Sequence, residues 1–135
     1  MAAADSRLTL NEHALDKDMY QALLDTCDLM LCPYDRGFYG SMQSGIVTEC
    51  AANAIPVVVP ADMTFVTEAA KYGASITTFA ETTPASILEA TQLALDQFDT
   101  CATQAYRGAK TWAEIQGPGK FVDGLLKIVS GNHPR

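Results

Sequence analysis

The sequence predicts an α/β fold, a Rossmann-like parallel sheet with flanking helices, and three observations carry that reading. Two uninterrupted apolar runs, "LMLCP" (29–33) and "PVVVP" (56–60), have the composition of strands buried on both faces, as parallel strands are. Between them lies a small-residue segment with helical spacing. Beyond them, strand and helix signals keep alternating, the pattern of a sheet built from right-handed crossovers. A chain of 135 residues is one domain's worth, able to bury about two-thirds of its unfolded surface. The expected domain therefore spans 1–135 and closes in carboxy-terminal helices over 101–130.

The first strand candidate is "RLTL" (7–10). Asp16 is placed to cap a helix whose inward positions are Tyr20, Leu23, Leu24 and Cys27. After "LMLCP", Ile46, Val47, Cys50, Ala51 and Ala54 form the next helical stripe, and prolines bracket the strand "PVVVP" at both ends. Thr64 is a cap for a short helix ending at Gly73, and "ASITTF" (74–79) is a third buried-strand candidate. Thr83 and Pro84 read as N-cap and first-turn residue of a helix with Ile87, Leu88, Thr91, Ala94, Leu95 and Phe98 inward. A further helix carries Ala105, Tyr106, Ala109, Trp112 and Ala113, with Trp112 packing between the last helices. Gly117–Pro118 breaks it, and the last helix is expected to bury Phe121, Val122, Leu125, Leu126 and Val129.

Composition excludes some functions. Nine basic against sixteen acidic residues give a net charge of −7, with no basic stripe for nucleic acid. No apolar run approaches the ~20 residues of a membrane span. The opening "MAAADSRL" is too short and too acidic for a secretory signal. Cys27, Cys32, Cys50 and Cys101 lack C-x-x-C spacing and sit among apolar residues, so they read as free thiols of a reducing, cytoplasmic compartment. His13, beside Glu12 and Asp16, has no convincing further ligand, and we assign no metal.

The informative stretch is "CPYDRGFYGSMQSGIVTECAANAIPVVVP" (32–60), a strand, a glycine loop, a helix and a second strand. Gly40 and Gly45 are spaced as in a P-loop, but Ile46 and Val47 stand where lysine and the metal-binding hydroxyl belong. "GSMQSG" misses the nucleophile elbow by one residue, and no dinucleotide fingerprint is present. What remains is a helix N-terminus with the N–H groups of Ser44, Gly45 and Ile46 facing an anion, and a glycine that admits close approach to the backbone. Glu49 lies one turn on, away from the apolar stripe. It reads either as an acid balancing the helix dipole or as an acceptor for the hydroxyls of a ribose beyond a pyrophosphate; a capping box is excluded because its acid would stand at Val47. Tyr34, Phe38 and Tyr39 either stack on a base or sugar or pack on the fold. Arg36, the one cation near the loop, reads as a solvated loop residue, and Asp28 as a turn acid.

The order tyrosine–leucines–acid–strand–proline in "YQALLDTCDLMLCPYDRGFYGSMQSGIVTECAANAIPVVVP", followed by "TFVTEAAKYGAS" and a late "W…F…L", resembles the nucleotide-sugar-binding half of GT-B glycosyltransferases of the retaining, family-four-like kind, from about Leu8 to Leu126. The resemblance implies sugar transfer from a nucleoside-diphosphate donor, as substrate, with no cofactor. It implies that Glu49 binds the ribose and that the backbone at Ser44, Gly45 and Ile46 faces the diphosphate. These enzymes often place a second glutamate eight residues earlier, against the donor sugar; here that position is Ser41, which leaves the sugar open. The resemblance also implies that the chain is the distal half of a donor domain, inactive alone, its partner the missing amino-terminal half of the enzyme. The alternative is a non-catalytic module of the same ancestry that binds a nucleotide or a protein. Removing the resembled fold's first strands would leave "LMLCP" as an open apolar edge, so a homodimer through that sheet edge is expected, in preference to "RLTL" folding in beside it.

Overall fold

Every residue of Val57–Pro60 is buried, and this strand, β2, is the middle of a three-stranded parallel sheet. The computed structural model of the chain describes residues 5–130. Strand β1 is Met30–Leu31 and β3 is Ile76–Phe79, in spatial order β1-β2-β3. Register aligns Met30 with Val57 on one side, and Val57 with Ile76 through Pro60 with Phe79 on the other. Seven helices surround the sheet in the described residues: α1 (Lys17–Asp25), α2 (Arg36–Tyr39), α3 (Gly45–Ala52), α4 (Thr64–Ala70), α5 (Pro84–Asp96), α6 (Phe98–Gln116) and α7 (Pro118–Val129). The protein is thus mixed α/β, with a small open parallel sheet and flanking helices.

The alternation of side chains along β2 divides the core. Val57 and Val59 join Leu24 of α1, Val47, Cys50 and Ala51 of α3, and Phe65 and Ala69 of α4. Val58 points the other way, onto Phe79 and the two alanines of α5, Ala90 and Ala94. No helix among the described residues is long and apolar enough to cross a membrane.

Local signals placed most boundaries. Asp16 accepts from the Met19 N–H and Thr83 from the Ser86 N–H, with Pro84 in the first turn of α5. Two boundaries differ. Thr64 is the first residue of α4 and not its cap; its N–H and its hydroxyl both donate to the Gly40 carbonyl, each at 3.1 Å. Ala54 lies outside α3 with φ of 59°, a left-handed residue beyond the helix end, and the Ile55 N–H closes back on the Cys50 carbonyl.

Four expectations about burial and pairing are corrected. Residues 7–10 form no strand: Leu8 donates to the Asp5 carbonyl, Arg7 pairs with Asp5, and Leu8 and Leu10 are about four-fifths exposed. Strand β1 is two residues long and bonded on one side only, so Leu31 is exposed and the run is not buried on both faces. On α1, α3, α5 and α6 the stripes are narrower than expected; Leu23, Ile46, Leu88, Leu95 and Tyr106 are exposed, because close packing falls on small residues such as Ala90, Ala94, Ala105 and Gly108. Finally, α7 buries none of its residues. Its Phe121, Val122, Leu125, Leu126 and Val129 are all exposed, since α7 packs chiefly against α6 and no sheet face lies beneath it.

Candidate functional site

The end of β1 feeds directly into the loop. The Cys32 N–H donates to the Val58 carbonyl, Pro33 ends the pairing, and Asp35 caps α2 by accepting from the Phe38 N–H. Gly40 then turns away from α2 where a Cβ would stand 2.7 Å from the Arg36 carbonyl oxygen. The double bond from Thr64 ties this turn to the start of α4, at the carboxyl end of β2. The loop is held at both ends before α3 begins.

Ser44 is the buried N-cap of α3. Its hydroxyl accepts from the Val47 N–H at 3.2 Å and shares a hydrogen bond of 2.9 Å with the Tyr34 hydroxyl. The cap therefore consumes one of the orphan donors at this helix end. The N–H groups of Gly45 and Ile46 have no acceptor among the described residues. A Cβ at Gly45 would meet nothing within 4 Å, so the space in front of these two donors is open. That space is a cavity of about 290 Å³ lined by Tyr34, Tyr39, Gln43, Ser44, Gly45 and Ile46.

The structure thus brings five of the expected residues, Tyr34, Tyr39, Ser44, Gly45 and Ile46, around one hollow and adds Gln43, which carried no signal in the sequence. Tyr34 and Tyr39 do pack on the fold. Their ring centroids are 4.8 Å apart, and Tyr34 meets Phe65 edge-on at 5.5 Å. Burial pushes the Tyr34 phenol upward, so it stays a neutral hydrogen-bonding group. Ser41 is exposed in the turn between Gly40 and Gln43 and does not line the hollow. Glu49 does not line it either; it is exposed one turn further along α3.

Glu49 is nevertheless held. The Tyr20 hydroxyl, from α1, donates to its Oε2 at 2.5 Å, and this bond is the leading cause that raises the Tyr20 phenol to about 12. Glu49 pairs with no cation among the described residues. Its other side-chain oxygen accepts no hydrogen bond among the described residues, and its orientation is set by a neighbouring helix. Tyr20, expected as an inward position, does pack partly buried against the core, and its hydroxyl also orients Glu49. The two are 29 positions apart, and only the α1–α3 packing relates them.

Arg36 is not a solvated loop residue. Its Nη2 donates to the Phe79 carbonyl at 3.1 Å, which pins α2 to the end of β3, and its Nε is buried without a partner among the described residues. Its guanidinium is thereby held at the end of β3. Among the described residues no three histidine, cysteine or acidic side chains come together to hold a metal.

No protein-family model, curated protein or solved structure matches this chain. Its site is read from geometry alone. That geometry offers two backbone donors at a helix N-terminus, a hollow walled by two tyrosines, and an oriented carboxylate one turn away. Such an arrangement accepts a small anion at the donors and hydroxyl groups at the carboxylate.

Proposed function

We propose that the chain is the nucleotide-sugar donor portion of a GT-B glycosyltransferase, a Rossmann-like half-domain that binds a nucleoside diphosphate sugar. The observation that carries the reading is the pair of partnerless N–H groups at Gly45 and Ile46, open to a tyrosine-walled hollow. The diphosphate lies against these donors and the α3 dipole, which needs neither lysine nor metal. The ribose hydroxyls donate to Glu49, which Tyr20 holds in place. A separate segment supplies the opposite wall of the cleft and the acceptor, so the 135 residues alone bind donor without turnover. The compartment is cytoplasmic, in keeping with four unpaired cysteines.

A second reading, a non-catalytic nucleotide- or protein-binding module of the same ancestry, is favoured by two observations. Ser41 stands where a glutamate would meet the donor sugar, and Arg36 bonds the Phe79 carbonyl and does not line the hollow. Calorimetric titration with uridine, guanosine and adenosine diphosphate tests the primary reading. One of the three binds, and Glu49→Ala weakens it by roughly 10- to 150-fold, the loss of a charge-assisted hydrogen bond of about 1.5–3 kcal/mol. Equal binding by the variant rules out Glu49 as the ribose acceptor.

A further inference from the structure

On the other side of α3 from Glu49 lies a second hollow, of about 280 Å³, between α3, α4 and α6. Val47 and Ala51 of α3 form part of its floor, and they stand roughly 160° around the helix from Glu49 at 3.6 residues per turn. Three aromatic side chains line it: Phe65 and Tyr72, from α4 and the turn after it, and Trp112 from α6. One ionisable acid, Glu68, lines it as well, and no lysine, arginine or histidine does. Gln116 donates to the Tyr72 hydroxyl at 2.8 Å and fixes that wall to the end of α6.

We propose that this hollow binds a small organic ammonium ion, of the size of choline. Aromatic faces attract cations through their quadrupoles, and sites that combine several of them are the usual receptors for methylated ammonium groups. Glu68 adds the charge. Lys71 bonds its Oε1 at 2.7 Å, but that pair lies at the surface and its second oxygen carries no bond among the described residues. An anionic ligand would meet Glu68 with no cation in the lining itself, since Lys71 pairs with that acid from outside it, and the net charge of −7 raises the local concentration of cations. The volume lies just below the range of drug-sized ligand pockets, which sets the scale at one small molecule. This site is separate from the nucleotide reading: the two hollows meet only at Gln43, and it contains neither Gly45, Ile46 nor Glu49.

Trp112 is the only tryptophan in the chain, so its fluorescence reports occupancy directly. The full chain is titrated with choline, with its uncharged isostere 3,3-dimethylbutan-1-ol, with methyl glucoside and with potassium chloride at matched ionic strength. Choline gives a saturable change in Trp112 emission, the two neutral compounds bind at least tenfold more weakly, and potassium chloride gives none. Glu68→Gln, at a partly exposed position, weakens choline roughly tenfold and leaves the isostere unchanged. A saturable response to the isostere or to methyl glucoside equal to that of choline overturns the proposal. So does the absence of any saturable response to choline, or a Glu68→Gln protein that binds choline as the wild type does.

Discussion

Tyr20 and Glu49 form the one long-range contact that sets the direction of the candidate site's carboxylate, and it has a pH signature. The bond to Glu49 and burial raise the Tyr20 phenol to about 12, above its ordinary value of 10.0. A raised acid holds its proton in the folded chain while the unfolded chain has already lost it. The contribution of this bond is therefore complete below pH 10 and is lost as pH rises to about 12. Denaturant melts of wild type and Tyr20→Phe should differ most below pH 10 and converge by pH 12; a constant difference across that window would place Tyr20's role elsewhere. The cysteines act at the same scale. Burial pushes the Cys50 thiol up to about 12 and raises Cys32 as well, so neither offers thiolate at neutral pH. Alkylation of the native chain should spare both, and all four thiols should react once it is denatured, as read by mass spectrometry. A disulfide in freshly prepared protein would contradict the assignment of a reducing compartment.

Among the elements, α6 depends on a single missing side chain. A Cβ at Gly108 would lie 2.5 Å from the Gly73 carbonyl oxygen and 3.0 Å from the Ala74 nitrogen, both backbone atoms that cannot swing aside. Gly73 itself has φ of +74°, which leaves that turn little freedom to adjust. Gly108→Ala should cost about 1–3 kcal/mol as overpacking, measured as a fall in the urea midpoint. Gly124→Ala on α7, where nothing lies within 4 Å, should cost nothing and serves as the control. If the two variants melt alike, the close approach of α6 to the turn after α4 is not what fixes it. Gly73 was readable as a helix end but Gly108 carried no signal, because close approach between backbones leaves no local pattern. What was legible was local in cause: the caps at Asp16 and Thr83, the Gly117–Pro118 break, and the apolar runs that became β2 and β3. Burial was overread where periodicity alone was the guide, since an apolar stripe fixes a helix's amphipathic face without saying that anything covers it. The α7 stripe is the plain case. At the site, the capped helix start was readable from "SGIV", whereas Tyr20, Gln43 and the Arg36 bond to Phe79 arise only from packing.

For the whole molecule, the sheet ends on one side at β1, whose outer edge has no partner strand among the described residues. The 7–10 segment does not fill it. Leu31 on that edge, Met19 and Leu23 on α1 and the apolar face of α7 are exposed as well. We expect the chain to pair edge to edge into a homodimer with one continuous sheet. Light scattering over a dilution series should show mass falling from dimer towards monomer; a monomer at every concentration would mean that the edge is blunted from within. Association and donor binding are separable, because the α3 N-terminus lies beyond the carboxyl end of the strands and not along the β1 edge. The proposed function requires a nucleoside diphosphate to sit on the Gly45 and Ile46 amides with its ribose at Glu49. Amide NMR during titration with uridine, guanosine and adenosine diphosphate reads this residue by residue. The largest shifts should fall on Gly45 and Ile46, followed by Glu49, and the Gly45 and Ile46 shifts should also appear with inorganic pyrophosphate. Shifts centred elsewhere, with Gly45 and Ile46 unmoved at saturation, would contradict it.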